Sequence, residues 1–253
     1  MCGIAVRKIE RMCPMPRFFL PALDPAQPVI TGEDAHHIGF SLRMRPGELL
    51  TVCAGGVDYL CRIREITGDS VYLEVQEQAP CGTEPTVSLT LYQAMPKTDK
   101  LEQIVQKAVE LGAARIVPVL TRRCISRPDG SQFAKKQQRL QKIAHAAAKQ
   151  AGRGIIPEVG GMLTLSQALE ELRQQQLPVM LYEAGGVSMS QLAVPRQGSI
   201  GVLVGSEGGF DPEEAAQAQA AGVQPVWLGP RILRCETAPL TALSLLMYLS
   251  GNL

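Results

Sequence analysis

Aromatic residues are scarce in this chain: Phe, Trp and Tyr make up 4% of 253 residues, with a single tryptophan. That scarcity argues against a lectin-like or aromatic-cage binder. No apolar run reaches the ~18 to 20 residues that span a bilayer, so no transmembrane helix is expected. The N-terminus carries Arg7, Lys8, Glu10 and Arg11 and has no long apolar stretch before a small-residue cleavage site, which argues against a signal peptide. Seven cysteines, at 2, 13, 53, 61, 81, 124 and 235, form no C-x-x-C pair. Zinc ribbons and disulfide scaffolds are therefore disfavoured, and buried thiols in a reducing cytoplasm are expected. Adjacent His36 and His37 would point about 100° apart on a helix, with no cysteine partner nearby, so no metal is expected. G-x-x-x-x-G-K-[ST] is absent, which excludes a P-loop.

Apolar residues make up 45% of the chain, enough for one large or two modest domains. Met15-Pro16-Arg17-Phe18-Phe19 looks like a second, natural start, so residues 1–14 are expected to be an upstream extension. The net charge of +1 hides an uneven distribution. Residues 97–153 hold thirteen Lys/Arg against four acids, whereas residues 1–96 hold eight against eleven and residues 154–253 four against nine. The middle segment is thus a candidate polyanion footprint.

Residues 16–78 read as β-rich. Strands at 49–53 and 57–66 flank the hairpin signal Ala54-Gly55-Gly56, and 70–75 is a third strand. A short helix is expected after Thr31 as cap. Several short strands with one helix predict a small barrel over residues 15–80. The proline- and glycine-rich break at 79–85 marks a domain boundary. Beyond it, strands at 87–93, 116–120, 179–183, 200–204 and 226–228 alternate with helices at 99–111, 132–150, 165–175, 212–221 and 239–249. That alternation predicts a parallel sheet with covering helices. Lys97, Lys100 and Lys107 share one side of the first of these helices. Lys135, Arg139, Lys142, Lys149 and Arg153 fall within roughly an 80° arc if the second continues that far. Either stripe alone could be a solvated face; together they favour phosphate contact.

Two segments carry the chemistry. In Val204-Gly205-Ser206-Glu207-Gly208-Gly209-Phe210 a strand runs into a glycine loop, and a helix starts with Asp211 as cap, Pro212 in its first turn and Glu214 closing a capping box. Such a loop at a strand's carboxyl end is where open α/β sheets bind ligands. Its acids Glu207 and Asp211 would repel a pyrophosphate, so a cationic ligand without phosphate suits it better. In Leu228-Gly229-Pro230-Arg231-Ile232-Leu233-Arg234-Cys235-Glu236-Thr237-Ala238, a second strand meets a Gly-Pro loop, and Thr237 is the expected cap of the last helix.

On these residues, together with Pro16-Arg17-Phe18-Phe19, His36-His37, Leu42-Arg43, Arg45-Pro46-Gly47, Lys97, residues 107–112, Pro118, Arg122-Arg123-Cys124, Gln150 and Arg153, the chain resembles the ribosomal RNA small subunit methyltransferase E family of the knotted SPOUT class. The resemblance runs from Met15 to Leu253. The first loop departs from the family's usual Gly-Pro-Glu-Gly-Gly, with Ser206 in place of proline; Lys149 and Ala151 depart from the usual residues around Gln150.

The resemblance implies an α/β fold: a SPOUT-type parallel sheet with a C-terminal trefoil knot over residues 85–253, preceded by a PUA-like RNA-binding barrel. It implies a homodimer acting in ribosome biogenesis, with S-adenosylmethionine as methyl donor and N3 of a uridine in 16S rRNA of the small subunit as acceptor. Glu183, Leu203, Gly205, Ser206, Glu207, Gly208, Gly209, Leu228, Gly229, Ile232, Leu233, Thr237 and Ala238 are the candidate cofactor residues. Arg234 is the candidate stabiliser of charge on uracil, and Glu236 or Glu207 the candidate proton acceptor. Arg17, Arg43, Lys97, Arg139, Lys142, Arg153 and Arg231 are the candidate RNA contacts. Two alternatives share parts of this pattern: methylation of tRNA or 23S rRNA by the same fold, and a non-catalytic ribosome-assembly binder.

Overall fold

A computed structural model describes residues 15–97 and 99–253. The expected extension over residues 1–14 lies outside them. The described chain forms two units, one ending at Gly82 and one running from Thr83 to Leu253, each with its own core.

The first unit contains β1 (Arg17–Leu20), β2 (Val29–Thr31), α1 (Glu33–His36), β3 (Leu49–Ala54), β4 (Val57–Thr67) and β5 (Ser70–Pro80). Its strands pair in the order β1-β3-β4-β5-β2, parallel between β1 and β3 and antiparallel elsewhere. The β3–β4 turn is Gly55-Gly56, both at positive φ (59° and 79°), as a two-residue hairpin turn with the sheet's twist requires. Register shifts at Leu60/Cys61 and Ile63/Glu65 interrupt the long β4–β5 ladder, and such bulges increase local twist and bend. Phe18, Ile30, Leu50, Val52, Ile63 and Val71 form the core beneath Ala35 and Ile38.

Three expectations for this unit change. Thr31 ends β2 rather than capping a helix; Gly32, at φ 70°, precedes α1 without a side-chain cap. β5 runs on to Pro80, through the start of the expected break. Arg17 is not a free cation: it forks onto Asp58 at 3.0 and 2.6 Å and reaches the Cys81 sulfur at 3.3 Å. It ties β1 to β4 and is withdrawn as a phosphate ligand.

The second unit contains β6 (Val87–Ala94), α2 (Lys100–Glu110), β7 (Arg115–Leu120), α3 (Gly130–Ala151), β8 (Glu158–Val159), β9 (Leu163–Thr164), α4 (Leu165–Leu172), β10 (Leu177–Leu181), β11 (Val187–Ser188), β12 (Gly198–Val204), α5 (Pro212–Ala220), β13 (Gln224–Trp227) and α6 (Thr237–Ser250). All its ladders are parallel, in the order β11-β13-β10-β12-β6-β7-β8, with β9 beside β7. The central strands β6 and β12 are buried over nearly their whole length, as a sheet covered on both faces requires. On α2, Leu101, Ile104, Val105, Ala108 and Val109 form the apolar stripe; each larger aliphatic contributes about 1.5–3 kcal/mol on full burial.

The second basic stripe is shorter than expected. α3 starts from a capping box of Asp129 and Gln132 and stops at Ala151, because Gly152 turns left-handed at φ 67°. Arg153 therefore lies beyond the helix and is only 3% exposed. It donates to the Val109 and Ala113 carbonyls at 2.8 and 3.0 Å and to both Glu84 oxygens at 2.8 Å. Burial works against ionisation of Glu84, but Arg153 and the Gly154 and Ile155 amides outweigh it and hold the carboxyl below its ordinary pKa. Arg153 is a buried tie, and its expected role in RNA contact is withdrawn.

Candidate active site

The order β13-β10-β12 places three carboxyl ends side by side, and the loops that leave them enclose a cavity of about 430 Å³. That lies within the ~300–1,000 Å³ usual for small-molecule pockets. After β10 come Tyr182 and Glu183; after β12, Gly205 to Phe210; after β13, Leu228, Gly229 and residues 231–235. Lys100 from α2 and Ala238 from α6 complete the wall. The two glycine loops, separated in sequence by α5 and β13, thus face one space.

The first loop is internally satisfied. Gly209 N–H donates to the Ser206 carbonyl at 3.0 Å, and Arg123 donates to the Gly208 carbonyl at 2.9 Å. Ser206, the departure from the family pattern, is 7% exposed, with its hydroxyl 3.5 Å from the Arg123 carbonyl. Below it, Gln93 donates to the Gly205 carbonyl at 3.2 Å. The capping box of Asp211 and Glu214 forms around Pro212 as the spacing predicts, and buried Glu214 also accepts from the Arg122 amide at 2.7 Å. Gly209 sits at φ 65°, a conformation that favours glycine, and a Cβ there would stand 2.7 Å from Glu183 Oε1, so that the carboxylate would have to swing aside.

A lysine joins the two loops. Lys100 Nζ lies 3.2 Å from Glu207 Oε1 in the first loop and 3.0 Å from Glu236 Oε2 in the second. The Lys97 amide also donates to Glu207 at 3.1 Å. Hydrogen bonding to Lys100 holds Glu236 below the ordinary carboxylate pKa. Burial opposes ionisation of Glu207, yet backbone amides and Lys100 outweigh it and also hold it low. Cys235, beside Glu236 at 3.3 Å, is pushed up to about 12, first by burial and then by the two carboxylates. The thiol therefore stays neutral, and the two acids stay ionised as weak bases.

Of the sequence candidates, Glu183, Gly205, Ser206, Glu207, Gly208, Gly209, Leu228, Gly229, Ile232, Leu233 and Ala238 line the cavity, as do Arg231 and Arg234. Leu203 does not: it is fully buried in the sheet core. Thr237 begins α6 without capping it, and Glu236 reaches the site through Lys100. Arg231 and Arg234 are exposed, and among the described residues neither guanidinium has a hydrogen-bond or ion-pair partner. Arg43 and Lys142 are likewise exposed. Arg139 is engaged by Glu102 at 2.8 Å, Lys107 by Glu110 at 2.9 Å and Arg122 by Glu213 at 2.5 Å, so part of the basic excess is neutralised locally. Lys97 is exposed and places its amide, described above, on Glu207. The described residues contain no cluster of three potential metal ligands.

Sequence reasoning missed Lys100 as a site residue, placing it in a surface stripe, and missed Tyr182, Phe210, Trp227 and Cys235 as wall. For Lys100 the available signal was position: it opens the helix that follows a central strand, at the sheet's carboxyl edge.

Residues 83–247 match the RNA methyltransferase domain family, and residues 30–76 match the RNA methyltransferase PUA domain family. Fold and site therefore define an RNA methyltransferase-type protein, a SPOUT-like parallel sheet preceded by a PUA-like domain. The ribosomal RNA small subunit methyltransferase E of Bacillus subtilis is 34% identical over 227 residues, 87% of this chain and 89% of that protein. The structure of the same enzyme from Neisseria gonorrhoeae, bound to S-adenosyl methionine, superposes with a TM-score of 0.82 at 32% identity, covering 93% of this chain and 98% of that one. A methyltransferase from Legionella pneumophila in complex with SAM gives 0.81 at 31%, covering 92% and 97%. The chain belongs to the ribosomal RNA small subunit methyltransferase E family.

Proposed function

We propose that this protein methylates N3 of a uridine in 16S rRNA of the small subunit, using S-adenosylmethionine. The observation that carries the reading is the cavity that both glycine loops face, lined by Glu183, Glu207 and Arg234, whose guanidinium has no partner among the described residues. The cavity fits the cofactor by size, and the Glu183 carboxylate on its wall complements a sulfonium. The bound cofactor supplies an already activated methyl group, so the protein's contribution is positioning and electrostatics.

Uridine N3–H is a weak acid, and transfer requires the nitrogen lone pair. Arg234 donates to a uracil carbonyl where negative charge develops. Glu207, which lines the cavity, accepts the proton, with Glu236 held beside it through Lys100. Both carboxylates are weak bases, so most of the work of stabilising the uridinate falls on Arg234. Arg43, Lys97, Arg139, Lys142 and Arg231 are the proposed phosphate contacts, Arg139 only at the cost of its bond to Glu102.

The protein acts in the cytoplasm as a homodimer, with exposed Leu245 and Tyr248 on α6 offering an apolar face to the second copy. Its C-terminal segment is threaded as a trefoil knot, a reading supported by β13 lying beyond β10 from β12. Among the described residues no helix is long and apolar enough to cross a membrane.

Mass spectrometry of rRNA nucleosides tests the reading directly. A strain lacking the gene should lose one N3-methyluridine from 16S rRNA and regain it on complementation. Persistence of that nucleoside, or loss of a methyl group from tRNA or 23S rRNA instead, overturns the assignment. Calorimetric titration with S-adenosylhomocysteine should show saturable binding; no binding would leave a non-catalytic RNA binder.

A further inference from the structure

The first unit carries a surface that the methyl-transfer site does not use. α1 passes into a π-helical turn at His37–Ser41, a rare backbone form that concentrates at functional positions. Ala35 and Ile38 anchor the turn in the core below. Phe40 is left 65% exposed, and the His36 ring stacks on it with centroids 4.3 Å apart and planes 16° from parallel. Leu42 beside it is 42% exposed. Arg43 then adopts φ 54°, the one positive φ outside glycine among the described residues, a conformation disfavoured for a residue with a Cβ. Arg43 and Arg45 are exposed, and neither side chain has a partner among the described residues. No acidic residue lies between Asp34 and Glu48.

We propose that His36 and Phe40 form a stacking platform for an unpaired base of the RNA substrate, with Arg43 and Arg45 meeting the flanking phosphates. The inference rests on the reading above that this protein acts on RNA. An aromatic face accepts any base, and the exposed cations that follow it within five residues supply the backbone attraction that single-stranded nucleic acid requires. The surroundings fit a protein partner less well. A protein interface core is apolar and depleted of charge, whereas this pair is followed by Ser41, Arg43 and Arg45.

The test uses the full chain and a fluorescein-labelled single-stranded RNA of about twelve nucleotides, followed by anisotropy, with the same sequence as a duplex for comparison. Phe40→Ala should weaken single-strand binding roughly ten-fold and leave duplex binding unchanged, while Phe40→Tyr keeps wild-type affinity. Phe40→Leu, apolar but without a π-face, should fall with the alanine variant. Arg43→Gln should reduce the salt slope by about one. Thermal unfolding confirms that each variant is folded, and His36→Ala supplies a second substitution at the same platform. Wild-type affinity in Phe40→Leu or Phe40→Ala overturns the proposal; if the wild type still methylates small-subunit RNA, the platform alone has failed. A wild type that neither binds RNA nor transfers methyl groups removes the functional reading and the platform with it.

Discussion

The two loops that face each other across the cavity are held in opposite ways. In the first, residues 205–210, internal hydrogen bonds, Arg123, Gln93 and the helix cap at Asp211 fix the backbone, and the glycines leave no side chain to move. In the second, residues 228–236, Arg231, Ile232 and Arg234 are exposed, and the arginines have no partner among the described residues. A fixed loop suits a ligand that must be placed the same way each time. A loop with free guanidiniums suits a substrate that arrives, is charged, and leaves. Lys100 couples the two through one carboxylate from each.

That contrast can be broken in order of expected effect. Arg234→Ala should lower methyl transfer by about 10²–10³-fold, the usual loss for one donor to a developing oxyanion, with cofactor affinity nearly unchanged by calorimetry. Collapse of cofactor binding instead would put Arg234 on the cofactor's side of the cavity. Lys100→Met should cost about ten-fold in transfer and Lys100→Arg much less. Its pH profile is more telling. Glu207 and Glu236 are held below the ordinary carboxylate range partly by Lys100, so they stay ionised as pH falls toward it. Removing the ammonium raises both, and the acid limb of activity should move to higher pH; an unmoved limb would remove these carboxylates from the reaction.

Smaller effects are expected in the fixed loop. Gly209→Ala places a side chain at φ 65° and should cost about 1 kcal/mol in unfolding free energy; its Cβ also displaces the Glu183 carboxylate, which should weaken cofactor binding. Ser206→Ala loses only a contact at the limit of hydrogen-bond length, so it should change stability by less than about 0.5 kcal/mol. A large loss there would mean that Ser206, not the backbone around it, closes the loop.

Much of this was legible in the chain. The Asp211-Pro212-Glu214 start of α5 and the strand-then-loop pattern on both sides of the cavity were readable because capping and alternation are local rules. The arginines were not. Arg153 and Arg234 look equally cationic in sequence, yet one is 3% exposed and held by four hydrogen bonds while the other is exposed and has no side-chain partner among the described residues. Arg17 and Arg139 likewise look like phosphate contacts in sequence, yet Asp58 and Glu102 engage them. Partners 37 to 69 residues away decide these cases, and no helical wheel contains them.

By itself the sequence determined the division into a β-rich first part and an alternating second part, the glycine loops and the class of ligand their charge excludes. Only the tertiary structure decided that the ends of β10, β12 and β13 adjoin, that Lys100 belongs to the site, and which cations remain available. The physical reason is range. Hydrogen-bonded turns, caps and apolar periodicity are set by neighbours within a few residues, whereas burial and ion pairing depend on segments the fold alone brings together.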